Sequence, residues 1–511
     1  MSADVSADPA LAKLADAILI PPFPGPDVPR WVLAALERGL AGVTVFGPNI
    51  ADPEQVARLT AALRSAGGVP LIAIDEEGGD VTRIAHLTGS PYPGNAALGA
   101  VDDVALTADV YRALGTDLAA LGFNVDLAPS VDVNTAADNP VIGTRSFGAD
   151  TALVSRHAAA AVSGLQTAGV AACAKHFPGH GSTRLDTHDT LVTVDASLDL
   201  LTRRDLPPFT AAIKAGVRCV MPGHLRVPEL TGDLPATLSA AALTGLLRGE
   251  WGFSGAIISD ALEMRAVSGR YGIPEAAVRA AAAGTDVLCL GRDQSEDSYL
   301  AVRHALCAAV GTGRLPASRL EEAAGRVADL RAWLASAGTA AGSGASAGAA
   351  ASTAPASAAA SQRAQVGLRA ARRAVRVSGA VRPLHDPVAI EVSGRENIAV
   401  GGVPWGLGPW LPAAAIQRVP ASLAQSGVPA LVDAAVARAA GRPVIIVVRD
   451  AHRYPVTRAV VTCLLKARPD AVVVEMGLPL WRPPGGRHIA TYGAAHTNAQ
   501  AAAELLGLTA G

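Results

Sequence analysis

The stretch from Ala174 to Asp189, AKHFPGHGSTRLDTHD, gathers His176, His180, His188, Lys175, Arg184 and two aspartates around Pro178, Gly179 and Gly181. No core helix or strand tolerates that polarity, so the pattern predicts a long polar loop. A loop of this length inside a domain is usually functional or disordered, and its histidine density favours function. Asp186 and His188 stand two residues apart. If the loop turns there, the carboxylate orients the imidazole, raises its pKa and lets it exchange a proton near neutrality. Three other readings compete. Zinc held by His176, His180, His188 and Asp260 is disfavoured, because metal-dependent barrel hydrolases usually carry H-x-H after their first strand, where this chain has ILIPPFPG. A phosphate cradle would need G-x-x-x-x-G-K-[ST], which is absent. A purely structural role, with ring nitrogens satisfied by the backbone, stays open for His180 and His224.

Isolated acidic residues follow other apolar runs. Asp260 ends GAIISD, where a half-desolvated carboxylate is costly unless paired or used. It reads either as the cap of a following Ala-Leu-Glu-Met helix or as a nucleophile fixed at a strand end. Asp75, in Asp75-Glu76-Glu77-Gly78-Gly79, carries the same ambiguity, with two glycines that let the backbone approach a ligand. Arg83, and Arg145 in NPVIGTRSF, are candidates for gripping substrate oxygens.

These groups need elements to bring them together. Eight β-branched or apolar runs recur: 17–20, 42–46, 70–74, 124–128, 170–174, 217–221, 255–259 and 285–290. Each precedes a turn and an Ala/Leu-rich stretch of helical spacing. Runs without polar alternation suit strands buried on both faces. Eight of them alternating with helices fit a (β/α)8 TIM-type barrel, a fold of about 250 residues plus insertions. An open doubly wound sheet is the runner-up, but no G-x-G-x-x-G follows the first strand. The barrel makes a second expectation. Asp75, Lys175-His176, Pro222-Gly223-His224 and Asp260 all follow strands, and barrel enzymes assemble their sites at the carboxyl ends.

Residues 335–362, ASAGTAAGSGASAGAAASTAPASAAASQ, contain no charge and no Leu, Ile, Val or Phe, which reads as a flexible tether rather than a membrane span. The division expected is a barrel over 1–334, a linker over 335–362 and a smaller α/β domain over 363–511, with strand-like runs at 374–379, 387–394, 443–448 and 471–477. The cluster Arg363, Arg369, Arg372, Arg373 and Arg376 reads as a solvated helix face rather than an anion site. Lys plus Arg number 43 against 45 Asp plus Glu, a net charge of −2 that argues against a nucleic-acid binder or a polybasic membrane surface. Five scattered cysteines without a C-x-x-C pair argue against a disulfide framework or structural zinc. The amino terminus lacks the basic and uninterrupted apolar regions of a signal peptide, so a cytoplasmic location is the default expectation.

The residues also match a known family. KHFPGHGSTRLDTHD (175–189), LPPFTAAIKAGVRCVMPGHLRVPEL (206–230) and PATLSAAALTGLLRGEWGFSGAIISDALEM (235–264) resemble the family 3 glycoside hydrolases, specifically bacterial β-N-acetylglucosaminidases of the NagZ type. The resemblance implies Asp260 as a nucleophile forming a covalent glycosyl-enzyme, and His188 as general acid/base positioned by Asp186. It further implies Asp75, Arg83, Arg145, Lys175 and His176 as binders of the N-acetylglucosamine ring. No metal or organic cofactor is required, and the partner is a small carbohydrate or muropeptide fragment met in cell-wall recycling. Two positions depart from the common pattern: Thr187 stands where Ser is frequent, keeping the hydroxyl, and Ala261 stands where some relatives carry a second Asp. The C-terminal domain resembles a shortened α/β sandwich and, with the His/Asp pair already in the barrel, is expected to be dispensable for chemistry. A β-N-acetylglucosaminide phosphorylase and a non-catalytic sugar-binding protein are the competing functions.

Overall fold

Short apolar runs rich in Val, Ile and Ala become eight parallel strands in the computed structural model, which describes residues 8–188, 190–347, 356–394, 397–420 and 425–509. They are β1 (Leu19–Ile20), β2 (Gly42–Val45), β3 (Leu71–Ile74), β4 (Val125–Asp126), β5 (Ala171–Phe177), β6 (Cys219–Pro222), β7 (Ala256–Ile257) and β8 (Leu288–Cys289). Strands β2 to β7 form one curled six-stranded sheet in sequence order, and β1 pairs in parallel with β8. Two thinner seams join these pieces. Ser259 N–H donates to the Val287 carbonyl (2.9 Å) and Val287 N–H to Ile257 (3.0 Å), while Thr44 N–H reaches the Pro21 carbonyl (3.3 Å). The result is the expected TIM-type barrel, with six strands falling inside their sequence runs; β5 and β6 run on to Phe177 and Pro222, so Lys175 and His176, expected in the polar loop, stand on the end of β5.

Period-two alternation sorts the strand side chains between two cores. Ile72, Ile74, Ala172, Ala174 and Val220 face the helices. Leu71, Ala73, Ala171, Cys173, Cys219 and Cys289 face inward, where small residues fill a narrow interior. The helix Ala317–Ala347 closes the amino-terminal end of the barrel, adding Val327, Leu330 and Leu334 to that inner core. Its Arg331 guanidinium donates to the carbonyls of Leu40 and Ala41 (2.7 and 2.8 Å), just before β2 begins.

That helix continues past residue 334, and a second helix spans Ala356–Ala374. The stretch expected as a coil tether is therefore helical over 335–347 and 356–362; the rest of it, 348–355, lies outside the described residues. The physical reason is alanine, the strongest helix former, whose weight in this composition the tether reading underrated. The arginine cluster is exposed at Arg369, Arg372, Arg373 and Arg376, as a solvated face requires, but most of its guanidiniums also have partners. Arg363 pairs with Asp117 (2.5 Å) and Arg373 with Asp103 (2.7 Å) of the barrel, Arg372 pairs with Glu504 (2.7 Å) of the C-terminal unit, and Arg376 donates to the Ala100 carbonyl (2.5 Å). The helix Ala356–Ala374 is thus a strap between the two units.

The C-terminal unit has one six-stranded sheet: β9 (Arg376–Ser378), β10 (Val388–Val392), β11 (Ile416–Val419), β12 (Val444–Val448), β13 (Val472–Glu475) and β14 (His488–Ala490). Their order is β9-β14-β13-β12-β10-β11, parallel except for the edge strand β9. Helices Val428–Ala439 and Pro455–Ala467 cover one face and His496–Leu505 the other. Strands β11 and β14 had no distinct signal in the sequence: IQRV is half polar and HIA is three residues long.

Gly367 on the strap lets the helix meet the barrel backbone, since a Cβ there would lie 2.1 Å from the Pro91 carbonyl oxygen. Gly367→Leu is expected to destabilise the protein by about 1–3 kcal/mol through overpacking. Arg373→Ala, at a half-exposed ion pair, is expected to cost under about 1 kcal/mol. Denaturant unfolding of the full chain measures both.

Candidate active site

Of the strand-end groups, Asp75, Lys175, His176 and Asp260 line one cavity of about 460 Å³ at the carboxyl end of the barrel, and Pro222, Gly223 and His224 do not. Its walls include Asp75, Arg83, Arg145, Lys175, His176, His188 and Asp260. Asp186 stands behind His188 and reaches it by hydrogen bond.

The floor is built by β3 and β5. After Asp75 the chain turns through Gly78 and Gly79, both at positive φ (70° and 60°); a Cβ on Gly79 would lie 2.4 Å from the Gly94 Cα. The turn aims Glu77 at β5. Lys175, the fifth residue of β5, donates to Asp75 (2.7 Å) and Glu77 (2.8 Å). Arg145 grips the same Glu77 through Nε (2.9 Å) and Nη2 (2.7 Å). Burial alone would raise the Glu77 carboxyl, but the two cations outweigh it and hold it far below the carboxylate range. Arg145 and Lys175 are driven upward by the same partners against their own burial.

His176 is locked by groups that leave one tautomer. A carboxylate only accepts, so the ring donates from Nδ1 to Asp132 (2.7 Å). A guanidinium only donates, so Nε2 accepts from Arg145 (3.3 Å). Asp132 also takes the N–H of His180 (2.6 Å), fixing the start of the polar loop. His180 turns away from the cavity chemistry: Nδ1 lies 2.7 Å from the Thr183 hydroxyl and Nε2 3.3 Å from that of Thr187. The structural reading left open for His180 therefore rests on hydroxyls rather than carbonyls. For His224 it rests on one carbonyl and one hydroxyl, since Nε2 donates to the Ala261 carbonyl (2.9 Å) and Nδ1 meets Thr237 (2.8 Å).

At the end of the loop one oxygen, Asp186 Oδ1, accepts both the His188 backbone N–H (2.9 Å) and His188 Nδ1 (2.6 Å). This is the side-chain turn that aspartate makes with the residue two ahead, and it explains why the D-x-H spacing works. Nε2 is left for the cavity. Burial lowers the His188 pKa, yet the Asp186 hydrogen bond and charge, aided by Asp260, bring the balance above the usual histidine value. Asp186 is correspondingly lowered, its burial outweighed by the His188 bond.

Asp260 follows β7. The helix-cap alternative does not hold: the next helix is Arg265–Tyr271 with Met264 at its N-cap, and among the described residues the Asp260 side chain accepts only from its neighbour Ala261 N–H (2.8 Å). Burial would raise this carboxyl, but His224, His176 and His188 together keep it below the ordinary value, so it is an anion at neutral pH.

Four contributors had escaped the sequence reading. Glu77 sat unremarked in the quoted DEEGG run. Asp132 follows β4 at six residues' distance, too far for a search confined to strand ends. Glu263 lines the cavity with one oxygen on Arg292 N–H (2.8 Å) and the other without a partner among the described residues; burial lifts its carboxyl to about 7. The loop around Ile398–Val403 comes from the C-terminal unit, and its Ala399 carbonyl takes the Arg83 guanidinium (2.9 Å). Arg83 thus lines the cavity while spending one donor on the second unit, and that unit supplies part of the cavity wall. Among the described residues no group of three or more His, Cys, Asp or Glu is placed to hold a metal ion. No described helix is long and apolar enough to cross a membrane.

Asp186→Asn is expected to lower the pKa of His188, because the anion that stabilises the imidazolium is removed. NMR titration of the ring protons reads the shift, and an unchanged His188 would refute the pairing. Glu77→Ala is expected to cost about 3–5 kcal/mol in unfolding free energy, since it strands the buried Arg145 and leaves Lys175 with Asp75 alone.

The chain resembles known proteins over its barrel and, in one solved structure, over nearly its whole length. The model of the glycosyl hydrolase family 3 N-terminal domain matches residues 31–330. Beta-hexosaminidase A of Pseudoalteromonas piscicida is 35% identical over 321 residues, 57% of this chain and about half (53%) of that protein. Beta-hexosaminidase LpqI of Mycobacterium tuberculosis (strain ATCC 25618 / H37Rv) is 40% identical over 274 residues, covering 52% of this chain and 70% of that one. A solved glycoside hydrolase family 3 beta-N-acetylglucosaminidase from Paenibacillus sp. str. FPU-7 superposes with a TM-score of 0.82 at 32% identity, over 97% of this chain and 96% of that one. With the family model spanning more than half of its length and a barrel mouth of this composition, the chain belongs to glycosyl hydrolase family 3.

Proposed function

We propose that the protein is a retaining exo-β-N-acetylglucosaminidase that removes terminal β-linked N-acetylglucosamine, working in the cytoplasm on muropeptide fragments of cell-wall recycling. The observation that carries the chemistry is the pairing, in one cavity, of an ionised Asp260 with an imidazole whose Nδ1 is fixed by Asp186 and whose Nε2 is free. The relatives named beta-hexosaminidase and beta-N-acetylglucosaminidase support the sugar. No metal or cofactor enters the scheme.

A retaining glycosidase needs a nucleophile on one side of the anomeric carbon and a proton donor on the other. In the proposed first half-reaction an Asp260 oxygen forms a bond to C1 while the C1–O bond to the leaving group breaks. His188 Nε2–H gives its proton to the departing oxygen, and Asp186 stabilises the charge on the ring until then. In the second half His188, now neutral, takes a proton from water, whose oxygen displaces Asp260 from C1. The buried cations Arg145 and Lys175, with Asp75 and His176, hold the sugar ring over the nucleophile.

Asp260→Ala is expected to abolish turnover, and Asp260→Gly with added azide to restore part of it on an aryl glycoside. His188→Ala is expected to slow substrates with poor leaving groups far more than activated aryl glycosides. Equal losses on both would remove it as the acid. The alkaline limb of kcat/KM should follow His188: its folded pKa is raised, so the proton donor is present below that value and lost as pH climbs through it. Asp186→Asn should move that limb to lower pH. Product analysis with and without inorganic phosphate separates hydrolysis from phosphorolysis, since a sugar 1-phosphate forms only in the latter.

A further inference from the structure

Four carboxyl groups among the described residues line the catalytic cavity: Asp75, Glu77, Asp260 and Glu263. Asp75 and Glu77 both meet Lys175, Glu77 also meets Arg145, and Asp260 is kept ionised by its histidines. Glu263 has no cation partner among the described residues. The Arg292 guanidinium pairs with Asp293 (3.0 Å), and what Arg292 offers Glu263 is its backbone N–H, to Oε1 (2.8 Å). Oε2 is buried without a hydrogen-bond partner among the described residues. Burial, with the Asp260 charge adding to it, pushes this carboxyl up to about 7, so it is neutral below that pH. The backbone after β8 leaves room for it: Gly291 stands at φ 85°, and a Cβ there would lie 1.4 Å from Oε2. A buried, half-satisfied carboxyl in a catalytic cavity calls for an explanation.

The segment that carries Glu263 also carries Asp260, and its two ends are held separately. At the Asp260 end, His224 Nε2 donates to the Ala261 carbonyl (2.9 Å) and Leu262 N–H to the Cys289 carbonyl (3.0 Å). At the far end, the Glu263 side chain takes the Arg292 N–H and the Glu263 carbonyl takes the Ser268 hydroxyl (2.7 Å). Two residues further on, Arg265 N–H donates to the His188 carbonyl (3.3 Å). Asp186 orients the His188 ring from within the polar loop, but a turn two residues long cannot fix that loop relative to β7. The bond from Arg265 reaches it from the nucleophile's own segment.

We propose that Glu263 is a positioning residue for His188: clamped to the Arg292 N–H and seated in the space left by Gly291, it fixes Arg265 N–H and, through it, the distance of the imidazole from the leaving oxygen. The inference rests on the glycosidase reading above and adds what holds the acid in register with the nucleophile. Misplacing a reacting group by about 1 Å costs about 10²-fold in rate, and a general acid contributes its 10²–10⁴-fold only within hydrogen-bond reach. Because Asp260 has its own ties through Ala261 and Leu262, loosening Glu263 acts on the acid and spares the nucleophile.

The test measures kcat/KM of the full chain on two glycosides. The departing sugar oxygen of N,N′-diacetylchitobiose needs a proton, whereas the phenolate of 4-nitrophenyl N-acetyl-β-glucosaminide does not. Glu263→Leu is expected to lower kcat/KM by about tenfold or more on the disaccharide and by less than about threefold on the aryl glycoside. The inhibition constant of N-acetylglucosamine should stay unchanged, since the sugar's own contacts are untouched. Glu263→Gln, neutral and still an acceptor for Arg292 N–H, should keep the disaccharide activity. Gly291→Ala, which sets a Cβ against Oε2 and displaces the carboxyl from the β8 side, should reproduce the selective loss; it carries the test if the leucine variant does not fold. Equal losses on both substrates, or a glutamine variant as impaired as the leucine one, overturn the positioning role while wild-type turnover leaves the glycosidase reading standing. A wild-type protein inert on both substrates overturns that reading, and the inference with it.

Discussion

Two buried cations share one carboxylate at the mouth of the barrel. Glu77 takes Lys175 from β5 and the Nε/Nη2 edge of the Arg145 guanidinium, and Lys175 has Asp75 as a second partner. A buried charge costs several kcal/mol to desolvate, and its attraction to a partner offsets that only with close geometry and further hydrogen bonds. The Glu77 cluster meets both conditions. It ties the ends of β3 and β5 to the loop that carries Arg145, and through Arg145 it sets the tautomer of His176. The rest of the mouth is assembled around that fixed point.

The same economy of shared carboxylates joins the two units. Asp80 accepts the Thr144 hydroxyl (2.6 Å), the Arg449 guanidinium (2.9 Å) and the Ala494 N–H (2.8 Å), so one side chain in the turn after β3 connects the Arg145 loop with two segments of the C-terminal unit. The strap helix adds its arginine pairs. Because Asp80 and Glu77 sit three residues apart in one glycine-bearing turn, the position of the second unit and the placement of the buried cations are set by the same short piece of backbone.

Reading the sequence located the strands well, because a strand buried on both faces must be apolar throughout and cannot hide. It located the chemistry partly. Asp186 and His188 were legible as a pair because the interaction is local, closed by a turn two residues long. Asp260 was legible as a polar residue ending an apolar run, but whether it capped a helix or faced a cavity depended on where the next helix began. The alanine-rich stretch misled because low complexity was weighed above helix propensity, and the ion pairs of the exposed arginine cluster left no signal because its partners lie on segments remote in sequence: Asp103 and Asp117 before it, Glu504 after it.

The sequence by itself determined the barrel, through the continuity of its apolar runs, and the His188–Asp186 pair, through its spacing. Only the tertiary structure decided that Glu77 is the partner of both Lys175 and Arg145, that Asp132 orients His176, and that residues 398–403 of the other unit wall the cavity. The reason is the range of the forces involved. Periodicity and turn formation act between near neighbours and leave a mark in the order of residues. Charge pairing and desolvation act between groups brought together by folding, as with Arg83 and Ala399 at a separation of 316 residues, and leave none.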